Sequence, residues 1–226
     1  MKKVIITSML SLISLVMAAQ ENIIADSSFE NQTVYSNNEI PRIAAFADYG
    51  NNCQVQNPAV DPAIEVERGK WYRKSPNSGY LKGIITQADK QDGERALLLS
   101  TDKNSGQHNL DQWFNNVLVQ YVNVDRTKKY TIKLYAKSNQ NCEKIYVGLV
   151  SGKGGSIKGS NWVNITSEWA EYTIEVQPPA HPNKGQFTNE EMNKACLVVG
   201  IATQYDNGKT IESSVLIDNV RMYTDK

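Results

Sequence analysis

The chain has 226 residues, with 24 Lys and Arg against 24 Asp and Glu and 2 His, so its formal charge is zero. That balance excludes a typical nucleic-acid-binding domain, which carries excess positive charge to offset phosphate. A hydrophobic fraction of 40% excludes wholesale disorder, and 4 Trp, 11 Tyr and 4 Phe leave many amphipathic rings to place in a core or on a surface.

Met1-Lys2-Lys3, the apolar run from Val4 to Val16 and the small residues of Met17-Ala18-Ala19-Gln20 read as a secretory signal peptide over residues 1–19. The apolar run is too short to span a bilayer and no second one follows, so no transmembrane segment is expected. The expected product is exported: periplasmic, extracellular or associated with the cell surface. Without Lys2 and Lys3 it carries 22 basic against 24 acidic side chains.

Residues 20–226 then read as one domain of short strands. Asn22–Glu30 is a short apolar-to-polar segment, and Arg42–Tyr49 forms a second candidate before the turn Gly50-Asn51-Asn52. Residues 53–70, with Pro58, Pro62 and Gly69, read as loop with a short strand at Ile64–Val66. Trp71–Arg73, Leu81–Thr86 and Ala96–Ser100 follow, the last two separated by the turn Asp92-Gly93. The pattern strengthens at Asn116–Val124, and Tyr130, Ile132, Leu134 and Ala136 alternate with polar or amphipathic neighbours in a half-buried strand. Lys144–Val150, Trp169–Val176, Leu197–Thr203 and Ser214–Tyr223 complete the set, with Asp206-Asn207-Gly208 as a turn before the last. Only residues 188–195 offer a helical turn. About ten short strands without a long helix predict an antiparallel sandwich or barrel. The length beyond a compact sandwich sits near 31–70 and 178–195, which read as insertions.

Cys53, Cys142 and Cys196 allow at most one internal bridge. Cys142 and Cys196 each open an apolar strand and are the preferred pair; the alternative is three buried thiols. No spacing of Cys or His suggests a transition-metal site.

Several of these segments resemble, in order, a known family. Asn22-Ile-Ile-Ala-Asp-Ser-Ser-Phe-Glu30, Trp71, Ala96–Ser100, Val119-Gln120, Lys129–Lys137, Trp169-Ala-Glu-Tyr172 and Ile217-Asp218-Asn219-Val220 are similar to the jelly-roll carbohydrate-binding modules found on xylanases and glucanases, within the galactose-binding-domain-like superfamily. The resemblance implies an all-β jelly-roll sandwich of two antiparallel sheets. It also implies a structural calcium ion where the first and last strands meet, held by Glu30 and Asp218. A hard cation draws carboxylate and carbonyl oxygens of this kind; the alternative is that both acids accept backbone N–H bonds at strand ends.

Sugar recognition needs flat rings for stacking and polar groups for hydroxyls. Tyr135 lies on the polar parity of its strand, with Lys133 and Lys137, and Tyr146 neighbours it on the next strand. Gln120 matches a polar position that lines the sheet face in the family. Trp71, Trp113 and Trp162 lie near loops and are candidate platforms, whereas Trp169 matches a position that is usually core. No nucleophile elbow, His-Glu-x-x-His, P-loop or dinucleotide fingerprint occurs. Of the acids that could form a glycosidase pair, Glu171 and Glu175 fall on a solvated parity. The expectation is therefore an exported, non-catalytic domain that binds poly- or oligosaccharide, with a structural or adhesive domain contacting other secreted or surface proteins as the first alternative. A glycoside-active enzyme is the second.

Overall fold

The computed structural model describes residues 20–32, 36–43, 54–57, 60–65, 69–74, 81–101, 117–151, 161–178, 194–201, 204–206 and 209–225. The expected signal peptide, Cys53 and Trp113 lie outside these residues.

Two large sheets stack face to face. One has eight strands: β1 (Arg42–Ile43), β2 (Gln54–Asn57), β3 (Val60–Glu65), β4 (Trp71–Lys74), β7 (Val117–Asn123), β9 (Lys144–Ser151), β10 (Asn161–Asn164) and β12 (Lys194–Ile201). Their spatial order is β10-β9-β12-β7-β4-β1-β2-β3. The other has five: β5 (Leu81–Thr86), β6 (Ala96–Thr101), β8 (Tyr130–Gln140), β11 (Ala170–Val176) and β15 (Ser213–Thr224), in the order β11-β8-β15-β6-β5. A hairpin of β13 (Gln204–Asp206) and β14 (Lys209–Ile211) stands apart. Its antiparallel register runs from Gln204↔Ile211 to Asp206↔Lys209. The crossings between sheets are those of a jelly-roll sandwich, as expected. Among the described residues the strand pairings are antiparallel except β1 against β4, which is parallel in the register Arg42↔Arg73.

The predicted alternation holds where it is strongest. Tyr130, Ile132, Leu134 and Ala136 of β8 point between the sheets and are buried, together with Leu97 and Leu99 of β6 and Val215 and Ile217 of β15. From the opposite sheet come Trp71, Leu118, Ile145, Val147, Leu149, Leu197 and Val199.

Four expectations change. Residues 53–70 are not simply loop, because β2 and β3 form a hairpin that extends the eight-stranded sheet. Pro62 is tolerated in β3 because that strand is the sheet edge, where one side needs no N–H. Of the candidate helical turn at 188–195, residues 194–195 open β12, and 188–193 lie outside the described residues. The segment 22–32 is not a strand but a run of turns, with Asp26 at φ 49° and Phe29 at φ 61°.

That segment is held by side chains that mimic strand neighbours. Gln120 donates from Nε2 to the Ala25 carbonyl at 2.8 Å and accepts the Ala25 N–H at 3.1 Å. Gln32 does the same for Trp71, at 3.1 Å and 2.9 Å. Trp71 Nε1 donates to the Asp26 carbonyl at 3.0 Å, and the Trp71 ring lies 5.4 Å from that of Phe29.

The fourth change is the disulfide. Cys142 and Cys196 are both buried and are not bridged to each other. Cys142 lies just before β9 and Cys196 near the start of β12, but the two strands run antiparallel, with Cys196 opposite Val150. Cys142 therefore lies at the other end of the pair, roughly 26 Å along the strands at 3.3 Å per residue, far beyond bridging distance. Burial pushes the Cys142 thiol up to about 12, against its weak hydrogen bond to the Lys144 carbonyl.

A buried cation bolts the sheets at their other end. Arg73 on β4 donates from Nη1 to the Leu81 carbonyl at 2.6 Å and from Nε to the Ile40 carbonyl at 3.3 Å. Its Nη2 pairs with Glu39 at 2.9 Å. Residues 39–41 thereby span both sheets, since Ile40 N–H also bonds the Gly83 carbonyl on β5 and the Pro41 carbonyl accepts from Arg73 N–H on β4.

Candidate functional site

The structure separates the residues that the sequence grouped as one sugar surface. Tyr135 stands on the outer face of the five-stranded sheet, since its neighbours Leu134 and Ala136 face the core. Tyr146 stands on the outer face of the eight-stranded sheet, on the opposite side of the sandwich. Gln120 lies between the sheets, 1% exposed, with its amide spent on Ala25. Trp71 is wholly buried in the core. Gln120 and Trp71 thus offer nothing to a ligand, and their polar atoms serve the fold. Trp169 departs in the other direction: it is half-buried, not core, and its Nε1 donates to Asp89.

The eight-stranded sheet carries apolar residues on both faces. Outside the main core, Ile43, Tyr72, Val117, Val119, Val198 and Tyr146 form a second buried cluster. One register row crosses this face from edge to centre: Trp162 opposite Tyr146, Tyr146 opposite Gly200, Gly200 opposite Val117, Val117 opposite Lys74. Lys74 is buried at the far end, and burial lowers its ammonium to about 8. At the near end Trp162 is 46% exposed, the exposed large apolar side chain among the described residues. Its ring meets that of buried Tyr146 edge-on, centroids 5.4 Å apart at 72°. The next pair on the same face, Asn164 opposite Lys144, is exposed. An indole fixed on a buried phenol, beside an amide and an ammonium, combines a stacking surface with hydrogen-bonding groups. The sequence marked Trp162 and Tyr146, whereas Asn164 emerges only from the β9–β10 register.

Glu30 and Asp218 converge on one loop. Both grip the loop between β5 and β6: Glu30 Oε1 accepts the N–H groups of Glu94 and Arg95 at 2.7 and 3.0 Å. Asp218 Oδ2 accepts those of Gln91 and Asp92, both at 2.9 Å, and its Oδ1 accepts from Asn219 at 2.7 Å. Gly93, at φ 60°, makes the grip feasible, because a Cβ there would collide with the Glu30 carboxylate. Asp218 follows core Ile217 on the other parity and faces the β5–β6 loop, and a bulge in β15, with Asn219 at φ 48°, returns Val220 to the core. Burial raises the Asp218 carboxyl above its ordinary value, against the pull of its three N–H donors, and the neighbouring Asp92 charge adds to the rise.

Carboxylate oxygens suit a hard ion, and Glu30 Oε2 carries no hydrogen bond among the described residues. Asp218 has already committed three acceptor sites to N–H groups, and no cluster of three or more metal-ligating side chains occurs among the described residues. The two acids therefore fit an ion only where backbone carbonyls and water complete its shell. Among the described residues no helix is long and apolar enough to cross a membrane.

No protein-family model and no curated protein sequence matches the chain. Among solved structures it is similar to a protein of Bacteroides thetaiotaomicron provisionally described as sugar binding, with 12% identity over 91% of this chain and 100% of that one, at a TM-score of 0.54. It is also similar to the enzymatically active domain of tailspike protein 4 of bacteriophage CBA120, with 10% identity over 90% of this chain and 21% of that one, at a TM-score of 0.50. A structure of a CBM4 carbohydrate-binding module aligns at 15% identity over 69% of this chain and 86% of that one, with a TM-score of 0.46. At these identities the likeness is one of fold.

Proposed function

We propose that the domain binds carbohydrate without cleaving it, at the β10 edge of the eight-stranded sheet. The observation that carries this reading is Trp162, 46% exposed and held edge-on by buried Tyr146. A pyranose ring stacks its C–H face on the indole, and Asn164 and Lys144 hydrogen-bond its hydroxyls. Similarity along the full length of a solved protein described as sugar binding supports the same reading. Gel retardation on xylan, soluble glucans and host glycans tests it. Trp162→Ala is expected to weaken retention by about 10- to 100-fold, the size of an aromatic hot spot, while Trp162→Phe keeps most of it. No retention of the wild type by any polysaccharide sinks the reading.

A protein partner is the second reading, favoured by the position of the exposed Trp162 on an edge strand. Unpaired N–H and C=O groups on such an edge can accept another strand. This reading gains if polysaccharides fail and the chain self-associates through β10.

The Glu30–Asp218 clasp is also the proposed seat of a structural calcium ion, which would offset the buried Asp218 charge and tie 22–32 to β15. Chelation by EDTA is then expected to lower Tm by several degrees, with recovery on adding Ca²⁺. An unchanged Tm leaves the N–H bonds as the whole of the clasp.

A further inference from the structure

The outer face of the five-stranded sheet, on the far side of the sandwich from Trp162, holds a second pair of half-buried rings. Trp169 directly precedes β11, and the following pair is Ala170 opposite Ala136, so Trp169 sits beside Lys137. Its Nε1 donates to Asp89 Oδ1 at 2.7 Å, and Lys137 Nζ donates to Asp89 Oδ2 at 2.8 Å. The indole plane is thereby fixed by a carboxylate that is itself fixed. Both bonds hold the Asp89 carboxyl below its ordinary value. One pair further on, Glu171 lies opposite Tyr135. Glu171 pairs with Arg221 and lies 3.8 Å from Lys133, and the Arg221 guanidinium stands 6.0 Å from the centre of the Tyr135 ring.

Such a face is unlike an ordinary solvated one in two respects. A mobile surface tryptophan would lose conformational freedom on stacking, whereas Trp169 is already immobilised. The charges between the rings are paired with one another, so they present fixed donors and acceptors without a large field. That pattern disfavours phosphate or sulfate polymers and suits neutral hydroxyl groups. Diagonal neighbours on adjacent strands lie about 7–8 Å apart, a spacing that seats two sugar rings in succession.

We propose that Trp169 and Tyr135, with Asp89, Lys137 and Glu171 between them, form a second site for a neutral pyranose chain, making the domain divalent with its two sites on opposite faces. This inference rests on the carbohydrate-binding reading above, extending it from one site to two.

Affinity electrophoresis of the full chain in gels containing soluble xylan or β-glucan tests it, using Trp162→Ala, Trp169→Ala and the double variant. Each single variant is expected to remain retarded but with more than tenfold weaker apparent affinity, because simultaneous engagement is lost. The double variant is expected to migrate freely. Tyr135→Ser provides an independent lesion on the same face should Trp169→Ala lower Tm. Wild-type retardation by both Trp169→Ala and Tyr135→Ser overturns the second site and leaves the first intact. Free migration of Trp162→Ala alone does the same. Failure of the wild type to be retarded overturns both.

Discussion

Trp71→Ala is expected to cost about 3–5 kcal/mol of unfolding free energy, the range for emptying a fully buried large aromatic site. The side chain is wholly buried, packs against Phe29 and donates to the Asp26 carbonyl. Removing it leaves a cavity between the sheets and withdraws the partner of a backbone carbonyl in the strained 26–29 turn. Trp71→Phe keeps most of the packing and loses the hydrogen bond, so a smaller loss of about 1–2 kcal/mol is expected. Denaturant unfolding at unchanged m separates these values. The contrast with Trp162 makes the experiment informative: Trp162→Ala should leave the midpoint almost where it was and change binding. If Trp71→Ala instead costs less than about 1 kcal/mol and abolishes sugar retention, Trp71 belongs to the ligand surface and its assignment to the core is wrong.

Much of the architecture was legible because alternation reports burial directly. β8 shows this best, with every second residue from Tyr130 to Ala136 in the core. Alternation reports which of two faces a residue takes, but not which sheet its strand joins. Tyr135 and Tyr146 both lie on outer faces, and only the strand orders place them on opposite sides of the sandwich. Gln120 did carry a local signal: it shares its parity with Leu118, Val122 and Val124, all buried in the core. A lone amide within an apolar stripe is buried with its hydrogen bonds satisfied more often than it faces a ligand. The cysteine pairing failed for a related reason. Two strand starts are adjacent in a parallel pair and far apart in an antiparallel one, and direction is a property of topology. The convergence of Glu30 and Asp218 on one loop was reachable only through resemblance, since 188 positions separate the two acids along the chain.

Arg73→Met is expected to cost about 3 kcal/mol, toward the lower end of the range for breaking a buried ion pair. The lower end applies because the Glu39 side chain is 30% exposed and partly screened. Most of the loss comes from the carbonyls of Leu81 and Ile40, which would be left inside an apolar wall. Burial lowers the guanidinium from its ordinary value and the Glu39 charge opposes that, yet the group stays charged at any accessible pH. Arg73→Lys should do little better than methionine, because a single ammonium cannot reach three acceptors arranged around a planar fork. For a domain of this size the loss corresponds to a fall in Tm of about 6–12 °C. The damage should also be local. Residues 39–41 join β5 to β4 through this junction and backbone bonds to Gly83 and Arg73, so β1, which pairs directly with β4, should lose amide protection before the β8–β15 centre does. Uniform loss of protection across both sheets would instead mean that the guanidinium acts through the whole core, not as a bolt at its end.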